Sequence, residues 1–96
     1  MKHFVIEIKY TVPFEELGEV IPMHREFLNV GYKNGWLLMS GPQNPKTGGI
    51  VIARAENENI LLEYFKKDPY AVHNVAEHKF TEFNPLMHQE FLKDWL

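Results

Sequence analysis

Two periodicities alternate along this chain, and their order limits the fold more than any other feature of the sequence. Residues 3–10 repeat at every second position, with Phe4, Ile6, Ile8 and Tyr10 on one face and His3, Val5, Glu7 and Lys9 on the other. Extended backbone sends successive side chains to opposite sides, so this is the pattern of a half-buried strand. From Pro13 to Asn34 the period lengthens, and Val20, His24, Phe27, Leu28 and Gly31 fall on one helical face. Gly18 and Pro22 break or kink the first turns, so the spacing predicts a regular helix starting near Pro22, with the proline in its first turn.

Lys33-Asn34-Gly35 supplies a helix stop, and the apolar run "WLLMSGP" then predicts a second strand that ends at Gly41-Pro42. "GPQNPKTGG" reads as a long polar turn, and the β-branched run "IVIARA" as a buried third strand that pairs with the second in an antiparallel hairpin. In "ENENILLEYFKKDP", Ile60, Leu61, Tyr64 and Phe65 share one helical face and a proline stops the helix. Val75 to Phe83 alternates again, with Ala76, His78 and Phe80 together on one face, and "NPLMHQEFLKDWL" closes the chain as a short amphipathic helix or arm over residues 84–96.

The order β-α-β-β-α-β is that of a ferredoxin-like α+β sandwich, in which two helices cover one face of a four-stranded antiparallel sheet. At 96 residues the chain fits a single domain, 1–96, that buries only about 60–65% of its unfolded surface. On the sheet face away from the helices, Val5, Glu7, Ile50 or Val51, and one of Trp36 and Leu37 are apolar enough to call for cover. A homodimer is therefore expected, with the arm and its Trp95 as a candidate contact.

Composition removes several function classes. With 10 basic residues, 13 acidic residues and a net charge of −3, nothing offers an electrostatic footprint for a phosphate backbone, and no nucleic-acid partner is expected. The absence of cysteine excludes disulfides, thiolate catalysis and Cys-ligated metal centres. Glu7 and Lys9 interrupt the apolar N-terminal stretch before it reaches the length of a signal core or membrane span, so a cytoplasmic protein with no membrane partner is expected. No GxGxxG, P-loop, GxSxG or HExxH pattern occurs, and His73 and His78 are spaced five apart, not four. Neither a metal nor a cofactor is expected.

His24 carries the chemistry worth following. It lies on the apolar stripe of the first helix, where a buried imidazole needs a partner for its ring N–H. In this topology the end of the second helix, with Asp68, runs alongside the early part of the first. A carboxylate bonded to one imidazole nitrogen fixes the tautomer and raises the basicity of the other, as a general base requires. A second reading stays open: in "KKDPYAV" an Asp followed by Pro is also a helix cap, and Asp68 fits the start of a short helix at Pro69. Ser40 either offers a hydroxyl to a substrate oxygen or simply ends a strand. Tyr70 either lines the pocket or packs its ring, and His78 faces the same side as Ala76 and Phe80 and so borders the cavity of His24. His3 and His88 read as surface residues.

Over roughly Phe4 to Phe83 the sequence resembles the YCII-related family of the dimeric α+β barrel superfamily. The matching features are the His of "PMHREFL", "NGWLLMSGP" with Gly35 and Ser40-Gly41-Pro42, Gly49 opening the third strand, and "DPY" after the second helix. The resemblance implies a dimer with a His–Asp pair as active site, which falls on His24 and Asp68, and with Ser40 at the family's small residue before Gly-Pro. It further implies proton abstraction from a small cyclic or aromatic substrate, of the lyase, dehydrochlorinase or isomerase type, while a non-catalytic dimer that binds a metabolite or a protein is the alternative. The loop "GPQNPKTGG" is shorter than in some relatives, so any lid it forms is small.

Overall fold

A computed structural model describes residues Met1–Leu96 and turns the alternating stretches into one sheet. Strands β1 (Lys2–Tyr10), β2 (Leu37–Pro42), β3 (Gly48–Ala55) and β4 (Ala76–Phe83) lie in the order β2-β3-β1-β4. Every neighbouring pair is antiparallel, with Ile6 opposite both Val51 and Phe80. Helices α1 (Val20–Lys33), α2 (Glu58–Phe65) and the short α3 (Pro69–Val72) complete the ferredoxin-like α+β fold. No helix is long and apolar enough to cross a membrane.

The core sits between sheet and helices, where the inward strand residues Phe4, Ile6, Ile8, Val51 and Ala53 meet Leu28, Leu61 and Phe65. Because side chains alternate across a strand, the register places Val5, Ile50 and Ile52 on the opposite face, where they are half-buried. Val51 is wholly inward, so of the pair Ile50 and Val51 it is Ile50 that points away from the helices. Neither Trp36 nor Leu37 joins it there. Leu37 is core, and Trp36 lies before the strand with its ring edge-on to Tyr64 at 5.0 Å.

Helix α1 starts two residues earlier than Pro22, after a single 3-10 turn at Phe14–Glu16 and Gly18, whose φ is +49°. The proline sits in the first turn of α1, where its missing N–H has no intrahelical acceptor to lose. The helix ends at Asn34 because Gly35 takes a φ of +77°, a left-handed conformation that glycine adopts without strain. Asn57 caps α2, its side-chain oxygen accepting from the Ile60 N–H at 3.1 Å. Strand β2 ends at Pro42, where the sequence stops it, and β3 begins two residues before Ile50, leaving a connection of residues 43–47.

The C-terminal segment carries no regular α-helix, only a 3-10 turn at Glu90–Leu92. It folds back on its own sheet: the Trp95 ring lies 5.0 Å from the Arg54 guanidinium and 5.9 Å from the His3 ring, and Arg54 donates to the Trp95 carbonyl. His3 is consequently buried, not a surface residue. Trp95 thus covers one corner of its own sheet's outer face, and Val5, Ile50, Ile52 and the exposed Met39 remain beyond it.

Candidate active site

Asp68 is a carboxylate with no solvent exposure, and three donors account for it. His24 Nδ1 lies 2.7 Å from Oδ1, His78 Nε2 lies 2.7 Å from Oδ2, and the Tyr70 N–H donates to Oδ1 at 3.0 Å. Both readings of Asp68 are therefore realised in one side chain. It is the N-cap of α3, with Pro69 at the first helical position, and it is also the partner of His24. Burial works against the charged carboxylate; the hydrogen bonds from His24 and His78, the charge attraction of His24 and the Tyr70 N–H outweigh it, holding the carboxyl below its ordinary value.

The local sequence explains how these groups meet. The buried positions of α1 are His24, Leu28 and Gly31, spaced four and then three apart, so the imidazole rides on the stripe that faces the sheet. Pro69 ends α2's direction and restarts the chain as α3, which turns the Tyr70 ring onto the imidazole. The two rings stack with centroids 3.9 Å apart and planes 10° apart. With Nδ1 held by the carboxylate, Nε2 is the nitrogen left to work.

His24 borders a cavity of about 270 Å³ between α1, the end of β2, the start of β3 and the end of β1. Ile8, Ile21 and Leu28 supply apolar wall, Tyr10, Phe14 and Tyr70 supply rings, and Ser40, Gly41 and Pro42 form one rim. Burial, aided by Tyr10 and Asp68 and opposed by Arg25, pushes the Tyr70 phenol well above its ordinary value, so the ring enters the cavity protonated. Ser40 Oγ lies 2.7 Å from Tyr32 Oη, and either oxygen can donate to the other. When Tyr32 Oη donates to Ser40 Oγ, the Ser40 hydroxyl is free to donate to a substrate oxygen.

His24, Ser40 and Tyr70 thus share one cavity, with Asp68 behind them. His78 does not border it. Its face on β4 is the expected one, but Asp68 stands between it and His24, and its ring opens onto a second cleft with Leu62, Glu63, Lys66 and Phe80. The partner that separates them comes from a different element, which strand periodicity on its own cannot reveal. Arg25, Lys46, Tyr10 and Phe14 also line the first cavity and were not singled out by sequence; only Arg25, next to His24, carried a local hint. No group of three or more His, Asp or Glu side chains converges to hold a metal ion.

No curated protein matches the chain by sequence. Among solved structures it is similar to the 5-chloro-2-hydroxyhydroquinone dehydrochlorinase TftG of Burkholderia phenoliruptrix, determined in complex with 2,5-dihydroxybenzoquinone. The TM-score is 0.69 at 16% identity, over 93% of this chain and 97% of that one, which establishes a shared fold. The model of the YCII-related domain matches residues 1–84, all four strands and all three helices, and the chain belongs to the YCII-related family.

Proposed function

We propose that this protein is an enzyme of the lyase or isomerase type that removes a proton from a small cyclic or aromatic substrate. His24 Nε2 is the general base, Asp68 the residue that orients it and offsets the imidazolium it becomes, and Ser40 a hydrogen-bond donor to a substrate oxygen. Tyr70 backs the imidazole and forms the wall against which a ring can lie. The observation that carries this reading is the 2.7 Å contact between His24 Nδ1 and the fully buried Asp68, at the edge of a cavity lined by aromatic rings. A buried charge is costly unless it is paired and hydrogen-bonded, and here the pairing leaves one imidazole nitrogen free. Dehydrochlorination, the reaction in the name of the structurally similar protein, is by its name a net loss of a proton and a chloride.

Deuterium exchange tests it. Wild type incubated in D₂O with hydroxylated and chlorinated single-ring compounds should catalyse exchange or turnover, and His24→Asn and Asp68→Asn should lower it by about 10²–10⁴-fold while keeping a cooperative melt. Equal loss of folding in both variants, with no exchange by wild type, would leave the pair a structural one and the protein a ligand-binding module. Tyr70 N–H bonding to Asp68, a cap that needs no chemistry, is the observation that favours this second reading.

We also propose a homodimer formed through the outer sheet face, supported by half-buried Val5, Ile50 and Ile52 beside Met39, which is 57% exposed. Light scattering at micromolar concentration reads it directly; a monomer there would remove the claim.

A further inference from the structure

The formal charges that line the cavity are all of one sign. Arg25 and Lys46 border it with His24, and not one Asp or Glu is among the lining residues. The chain as a whole is acidic, with 13 acidic against 10 basic side chains, so a cavity that gathers two cations and no anion runs against the composition. The buried carboxylate of Asp68 is not part of the lining. It lies behind His24, fully buried, and its two oxygens are taken by two imidazoles and a backbone N–H.

The two cations approach from different elements. Arg25 follows His24 on α1, and Lys46 lies in the connection between β2 and β3. The Lys46 ammonium lies 4.6 Å from the centroid of the Phe14 ring, which is itself part of the wall, so the side chain is drawn along the cavity by a cation–π contact. A guanidinium presents a planar fork that matches a carboxylate, and an ammonium a compact point charge. Ile8, Ile21 and Leu28 supply apolar wall to the same cavity, a surface for the ring of a ligand whose charged group meets the two cations at its rim.

Size narrows the ligand further. A cavity of about 150 Å³ holds a benzene ring. The 270 Å³ here leaves room for one substituted ring and little more.

We infer, on the reading of this cavity as the substrate site, that its substrate is a single-ring aromatic or cyclic carboxylate, whose acid group is held by Arg25 and Lys46 while its ring lies against Tyr70 and Phe14. The arrangement also serves the proton abstraction. Loss of a proton to His24 Nε2 leaves the electron pair on the substrate as a second negative charge, and two cations at the same cavity lower the free energy of that developing anion.

Benzoate and benzamide, of nearly equal shape and different charge, make the test. Each is titrated into wild type at low ionic strength and followed by backbone amide shifts. Benzoate should bind at least about tenfold more tightly than benzamide, as a charge-assisted contact requires, and should move signals around His24, Tyr70 and Lys46. Raising the salt to about 0.5 M should weaken benzoate alone. The double variant Arg25→Gln, Lys46→Gln changes two exposed side chains, and it should bring benzoate down to the level of benzamide. Equal binding of the two probes, binding of neither, benzoate shifts confined to another surface, or an unchanged double variant would each overturn the assignment. Benzoate preference without any proton exchange retires the base and keeps the anion site. Proton exchange without benzoate preference retires the anion site alone.

Discussion

His78 Nε2 lies 2.7 Å from Oδ2 of Asp68, so the carboxylate that holds His24 through its other oxygen is clamped between two imidazoles on opposite sides. The clamp stops the carboxylate from rotating about its own bond, and with it fixes the plane of the His24 ring. His78→Phe fills much of the same volume but withdraws the donor and leaves Oδ2 buried without a partner. The expected loss is about 1–3 kcal/mol in urea unfolding. His78→Gln, which can still donate, should recover part of it. A His78→Phe protein as stable as wild type would mean that Oδ2 finds water in the second cleft.

Acid should reveal the same carboxylate. The folded state holds the Asp68 carboxyl below its ordinary value of 3.8, so as pH falls beneath that value the unfolded chain takes up the proton first. Stability contributed by the ionised form is therefore complete above about pH 4 and is lost progressively as pH drops through the lowered folded value. Asp68→Asn has no proton to take up there. Its denaturation midpoint should change less between pH 5 and pH 3 than that of wild type, and equal slopes would deny the carboxylate this role.

Gly31 lets α1 pack closely on Tyr64 of α2 and Leu37 of β2. A Cβ built there would sit 2.7 Å from Tyr64 Oη and 2.8 Å from Leu37 Cδ1, and the Tyr64 hydroxyl is engaged with the Phe27 carbonyl, so it is not free to swing away. Burial holds the phenol protonated, pushed up to about 12. Alanine gains about 1 kcal/mol over glycine in helix propensity, while overpacking costs about 1–3 kcal/mol. Gly31→Ala should be net destabilised by up to about 2 kcal/mol, read from urea unfolding, and Tyr64→Phe in that background should restore part of the loss by removing the nearest atom.

The arm should respond to mild acid. Burial is the main cause that holds His3 below its ordinary value of 6.5, with the N-terminal charge and Arg54 acting the same way and the Leu96 backbone opposing them. Below 6.5 the undocked imidazole takes up a proton that the docked one resists, so docking is complete above that value and weakens as pH falls. In Trp36→Phe the remaining indole is Trp95, and its fluorescence should shift toward solvent between about pH 6.5 and pH 5. His3→Phe should remove the transition; an identical transition in that variant would trace it to another group.

Much of the site was legible because periodicity and spacing act locally. The stripe that buries His24, the pairing of an Asp with Pro at a helix restart, and the alternation that puts His78 inward are each set within a few residues by backbone geometry. What local rules cannot supply is the distance between elements. That Asp68 would serve as both cap and clamp, and that His78 would meet it from behind instead of sharing the cavity, depended on how α3 turns over β4.

The sequence by itself determined the order of strands and helices, which faces they bury and the absence of thiol chemistry, because hydrophobic period, turn residues and composition are properties of the chain. Only the tertiary structure decided that three groups converge on Asp68, that Arg25 and Lys46 meet at one cavity, and that Trp95 lies on Arg54 of its own sheet. Those contacts join residues far apart in the chain, and their geometry follows from packing elements against a shared core, a long-range balance that no local pattern encodes.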